Sequence, residues 1–369
     1  MSENRVISIE DQIGIALYPI ADLFSDDSVT DIFIYGRDKV FIKKIGSKLS
    51  KVDREWKEDI DLIVACNTIA QKMRRKLNRE NPILDARLSD GSRVNIVIAP
   101  VYSNGACISI RKFPSEKLDS ESLVKLGTLD ENGVKIISSL VKMGKKIVVS
   151  GGTGTGKTTL LNILCNYIDE SQIVVTIEDA RELNLSHRLW APLESRKAFF
   201  EKEREVSLRD LVINSLRMFP KWIILGEVRG GEVFDLMRAF NSGHSGMTTL
   251  HSDSCEDALF ALENMFLQGK EMRIDAVRQI ISRAVDVVIQ IRRFKDESIK
   301  VVEIAEITGL KYGEMITKYQ LKSLYKFGSD YVGNGQGSGF SVCSIPDFLQ
   351  RDIELSENEL PPFWRNNCD

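Results

Sequence analysis

Between residues 29 and 46, apolar and polar residues alternate on either side of Gly36-Arg37-Asp38. That period of two is the signature of a strand with one face on a core, so a β-hairpin is predicted there. From 56 to 79 the spacing changes. Ile60, Ile63, Val64, Ile69 and Met73 recur at helical intervals, and the basic stretch at 72–79 reads as a solvated helix face. Alternation returns at 92–99 and 106–112, joined by a turn at Ser103-Asn104-Gly105. Residues 1–113 therefore read as a small α+β domain. Residues 114–128 are polar without a strong period and read as an interdomain linker.

Beyond the linker, short apolar runs fall at 145–150, 173–177, 222–225, 247–250 and 287–291, separated by segments of helical spacing. Such runs predict a parallel sheet with helices on both faces, an α/β domain over 129–327. Strands at 299–308 and after are expected to close it as an antiparallel edge. Residues 328–369 form a tail. It opens with a glycine- and serine-rich stretch at 328–339, expected to be flexible, and carries a candidate short helix at 345–355.

The 369 residues carry 50 basic and 53 acidic side chains, a net charge of −3, which argues against a general nucleic-acid binder. The six cysteines include no C-x-x-C pair, so a zinc ribbon or disulfide framework is not expected and reduced cytosolic thiols are. No run approaches the ~18 apolar residues of a membrane span, and the first residues do not read as a signal peptide.

The candidate chemistry begins at Gly151-Gly152-Thr153-Gly154-Thr155-Gly156-Lys157-Thr158, which fits G-x-x-x-x-G-K-[ST] at every position and lies between a predicted strand and a predicted helix. Glycines let the backbone close around phosphates, and the following helix, predicted over 158–168 and opening with Thr158 and Thr159, presents its N-terminus to the same anion. Lys157 would reach the β- and γ-phosphates of ATP, and Thr158 would offer a hydroxyl to Mg²⁺. Carboxylates are needed nearby. Glu178 and Asp179 follow the run at 173–177, and Glu227 follows the run at 222–225, both where a doubly wound sheet binds ligands. Glu227 is the candidate base for water, with Glu178 helping to place water and metal. Two of the three histidines, His244 and His251, share one short segment. His251 again follows a strand end and could read the γ-phosphate.

These motifs, in this order, resemble those of the ATPases that drive type II secretion, type IV pili and type IV secretion. The glycine loop resembles that family's Walker A. Glu178-Asp179 with Glu182-Leu183 resembles its Asp box, Leu225 through Gly230 its Walker B, and Gly243-His244 through His251 its His box. The stretches around 90–113, 123–133 and 215–244 look most like the tight-adherence pilus branch, with conjugative secretion ATPases a near second. The resemblance implies a RecA-like ATPase domain preceded by a smaller, PAS-like α+β domain. It implies a homohexamer acting on an inner-membrane platform protein from the cytoplasmic face, with no stable nucleic-acid partner. It also implies that Arg93 and Arg111 of the first domain reach the nucleotide, and that Arg217 and Arg229 are candidate subunit-interface arginines. A nucleic-acid-stimulated RecA-type motor is the alternative of a different class. The sequence departs from the family's usual R-P-D ahead of Walker B, where it has Phe219-Pro220-Lys221.

Overall fold

The computed structural model describes residues 17–44, 47–88, 90–113, 118–196, 204–311, 317–328 and 339–349. The chain divides into two compact units at Lys117/Leu118.

The first unit is built on a six-stranded antiparallel sheet of order β3-β2-β1-β6-β5-β4. The predicted hairpin is β1 (Val29–Tyr35) and β2 (Val40–Lys44), and the second pair is β5 (Arg93–Ile98) and β6 (Ala106–Arg111). Edge strands β3 (Ser50–Val52) and β4 (Ile83–Arg87) were not evident in the sequence, since neither contains more than three apolar residues. A short helix, α1 (Ala21–Ser25), precedes the sheet, and α2 (Asp59–Lys72) lies between β3 and β4. Ile32, Ile34, Val94, Ile96, Ile108 and Ile110 alternate onto one face of the sheet and form a core with Leu62, Cys66 and Ile69 of α2 and the buried Trp56. A reciprocal capping box between Glu58 and Asp61 starts α2. The helix is shorter than its periodicity predicted. It stops at Lys72, and Arg74 turns left-handed at φ 53°, so most of the basic stretch at 72–79 lies beyond the helix rather than on its face.

The expected linker is ordered from residue 118 and belongs to the second unit. Asp119 caps the short helix α3 (Ser120–Lys125) by accepting from the Ser122 N–H, and Leu123 is buried in the second unit's core. One buried leucine in a six-residue helix leaves no period to read. α4 (Glu131–Lys142) follows, capped by Asp130 in the same way.

The second sheet has nine strands in the order β15-β14-β13-β12-β7-β11-β10-β8-β9. Its parallel part comprises β7 (Ile147–Gly151), β8 (Val174–Glu178), β9 (Trp190–Glu194), β10 (Trp222–Leu225), β11 (Ser245–Leu250) and β12 (Val287–Arg293). β13 (Ile299–Lys311), β14 (Lys318–Phe327) and β15 (Phe340–Val342) close it as an antiparallel edge, as expected. β9 was missed because Pro192 interrupts its pattern, which an edge strand tolerates. Helices α5 (Lys157–Cys165), α6 (Leu208–Ser215), α7 (Glu232–Asn241), α8 (Cys255–Gly269) and α9 (Ile274–Ala284) connect the strands. Two apolar cores, one on each face, confirm a sheet covered on both sides. β11 separates β7 from β10, which is the RecA-like arrangement. Of the candidate C-terminal helix only residues 347–349 are described, and nearly all of the stretch at 328–339 lies outside the described residues.

Candidate functional site

β7 ends at Gly151 and α5 begins at Lys157, with the glycine loop between them. Two positions of the loop require glycine by conformation: Gly154 has φ 69° and Gly156, the N-cap of α5, has φ 84°. Thr155 uses its hydroxyl inside the loop, donating to the Gly152 carbonyl at 2.9 Å. Lys157 is buried. Its Nζ donates to the carbonyls of Gly151 and Gly152, both at 2.9 Å, and lies 3.1 Å from His251 Nδ1. Burial pulls its pKa down, opposed by the charge of Glu227. Thr158 is half-buried at the start of α5, while Thr153 and Thr159 are exposed.

Glu227 follows β10 and His251 follows β11, two strands whose registers bring their ends to the level of the loop. Hydrogen bonds tie the two ends together: Thr249 Oγ1 donates to the Gly226 carbonyl at 2.8 Å, and the Val228 N–H donates to the Thr249 carbonyl at 2.9 Å. His251 thereby stands between Lys157 and Glu227. A lysine ammonium can only donate, so Nδ1 accepts and the imidazole proton sits on Nε2, 2.8 Å from Glu227 Oε1. This close contact lies off hydrogen-bond alignment, and Oε1 is buried without a hydrogen bond among the described residues. The other oxygen, Oε2, accepts from Arg229 Nη2 at 2.7 Å. That bond raises the Arg229 pKa, and Glu232 Oε1 fixes the turn by accepting from the Arg229 and Gly230 N–H groups.

Glu178 ends β8 and is 4% exposed. Its Oε1 accepts from the N–H groups of Glu182 and Leu183 at 2.8 and 2.9 Å, so part of this carboxylate shapes its own loop. Its Cγ would stand 2.9 Å from a Cβ at Gly226, so the glycine before Glu227 makes room for Glu178. Asp179 turns away to Ser195.

Two sequence candidates are elsewhere. His244 precedes β11 at the opposite end of the sheet, six residues or ~20 Å from the loop. It closes the C-terminus of α7, with Nδ1 3.1 Å from the Ala239 carbonyl and 3.0 Å from Ser242 Oγ. Arg217 lies ahead of β10 on that same edge, near the Ile213 carbonyl. The structure thus places His244 away from the chain's own phosphate loop, because it precedes its strand instead of following it, while Arg217 was expected at a subunit interface and not at this loop.

In the first unit, Arg93 and Arg111 are direct partners across β5 and β6, so they share one sheet face. The register extends to Arg87 of β4 on one side and Asp31 of β1 on the other. Arg111 Nε donates to Asp31 Oδ1 at 3.2 Å. Arg87 was missed in the sequence because only strand register reveals it.

No group of three or more His, Cys, Asp or Glu side chains among the described residues could hold a metal ion. A Mg²⁺ ion does not need such a cage. It takes one or two protein oxygens plus phosphates and water, a set that the Thr158 hydroxyl fits directly and the Glu227 oxygen left without a hydrogen bond fits through an intervening water. No described helix is long and apolar enough to cross a membrane.

A family model described as type II/IV secretion system protein matches residues 16–319. An uncharacterized protein of Methanocaldococcus jannaschii is 39% identical over 196 residues, covering 52% of this chain but only 27% of that protein. A putative conjugal transfer protein of Mycobacterium tuberculosis is 30% identical over 290 residues, 77% of this chain and 82% of its own length. Among solved structures, the pilus retraction motor PilT with bound ADP superposes with a TM-score of 0.56 at 21% identity, over 84% of this chain and 82% of that one, a likeness of fold alone. With a match spanning both structural units and all four motifs, the chain belongs to the type II/IV secretion system protein family.

Proposed function

We propose that this chain is an ATP-hydrolysing motor subunit that works as a homohexamer on the cytoplasmic face of a bacterial inner membrane. Its work there is pilus assembly or secretion through a platform protein. The observation that carries the reading is the convergence of Lys157, His251 and Glu227 within 3.1 Å steps at the carboxyl edge of the sheet. Lys157 leaves the Gly151 and Gly152 carbonyls for the phosphates. Glu227 takes the proton of the attacking water at Oε1, and His251, beside both groups, donates toward the γ-phosphoryl oxygens. The Thr158 hydroxyl would hold a Mg²⁺ ion, which would supply positive charge to offset the β- and γ-phosphates. The family resemblance makes Arg93 and Arg111 further candidates for positive charge on the nucleotide.

The sequence stretches resembling tight-adherence motors support pilus assembly as the task, and the mycobacterial relative supports conjugal transfer as the neighbouring reading. The decisive experiment compares Lys157→Ala and Glu227→Gln in nucleotide binding and Mg²⁺-dependent hydrolysis. Lys157→Ala should lose both. Glu227→Gln should bind ATP with wild-type affinity and turn over ~10²–10⁴-fold more slowly, the range of a lost general base. Normal hydrolysis by Glu227→Gln would move the base elsewhere.

A further inference from the structure

Beside the glycine loop lies a cation that none of the four motifs contains. β12 runs parallel to β7 with Ile291 opposite Gly151, so Arg293, two residues on, extends past the strand end next to the loop. Its Nη2 donates to the Gly154 carbonyl, and its Nη1 donates to Glu297 Oε2 at 2.8 Å. The two side chains are 24% and 25% exposed. Glu297 belongs to the tight turn between β12 and β13 and is held left-handed there, at φ 65°. The turn is closed by hydrogen bonds from the Phe294 N–H to Ser298 and from the Glu297 N–H to Phe294. Phe294 itself packs edge-on against Phe327 of β14.

In a phosphate loop the N–H groups turn inward to the anion, so carbonyls are left to face outward. Glycine makes that shape accessible and also makes it one of many, so ordering the loop opposes binding. Lys157 and Thr155 already hold the Gly151 and Gly152 carbonyls. Gly154, at φ 69°, is exposed at the tip of the loop and is fixed from its outer side by Arg293. The geometry points to Arg293 as a positioning residue for nucleotide binding: oriented by Glu297, it holds the phosphate loop in its anion-binding shape before the ligand arrives. Arginine suits the task because its planar fork serves the carbonyl and the carboxylate at once, which a lysine does less well.

This inference rests on the nucleotide-site reading, and one set of measurements separates the two. Binding of a fluorescent ATP analogue, steady-state hydrolysis and melting temperature without nucleotide are compared for the full-length wild type, Arg293→Ala, Arg293→Lys, Glu297→Ala and the Ala/Ala double variant. Arg293→Ala should raise Kd and KM about tenfold, the order expected for one charge-assisted hydrogen bond, while kcat stays within about twofold. Arg293→Lys should recover part of the loss. The double variant should bind no more weakly than Arg293→Ala, since Glu297 acts only through Arg293. Wild-type KM in Arg293→Ala, or losses at the two positions that simply add, overturns the inference and leaves the nucleotide site standing. A lower melting temperature with KM unchanged also overturns it, in favour of a structural tie. A wild-type chain that binds no nucleotide removes both readings.

Discussion

The two ends of β11 carry the two histidines of one motif, and they do different work. His251, past the carboxyl end, stands between the loop lysine and the candidate base. His244, before the amino end, closes a helix. In a parallel sheet the carboxyl ends converge on the ligand, so a side chain's place before or after its strand decides whether it can meet the site. Shared membership of a motif does not.

The sharpest way to break this contrast is His251→Ala. It should lower kcat about 10²-fold with nucleotide binding nearly intact, read by steady-state hydrolysis and direct binding. A drop in binding with kcat preserved would make His251 a support for Lys157 instead. Gly226→Ala probes the same end indirectly. Its Cβ would crowd Glu178 at 2.9 Å and displace the strand end that carries Glu227, so kcat should fall about tenfold and stability by about 1–3 kcal/mol, measured by turnover and denaturant melts. His244→Ala should be the mildest: about 1 kcal/mol of stability, seen as a melting shift of a few degrees, with kcat and KM unchanged. A turnover defect there larger than the His251→Ala defect would erase the distinction between the two ends.

Much of this was legible in the sequence because local chemistry enforces it. The glycine loop must follow a strand and open a helix, and the acids and His251 follow apolar runs. What could not be read depends on register or on contacts between distant segments. Arg87 joins Arg93 and Arg111 only through strand pairing. Arg293 reaches Gly154 only because β12 lies beside β7, across 139 positions of chain. The helix at 120–125 and strand β9 escaped because one is too short for a period and the other contains a proline. His244 is drawn toward the site by proximity in sequence, and direction along the strand sends it away.

β11 has one more consequence. All six of its residues are buried, and neighbours grip it on both sides. A Cβ at Gly246 would stand 2.1 Å from the Phe240 ring and 2.5 Å from the Ile223 carbonyl, so strand, α7 and β10 touch without slack. Strand, helix and neighbouring strand therefore form one interlocked unit, and a larger side chain at 246 would have to move α7 and β10 together.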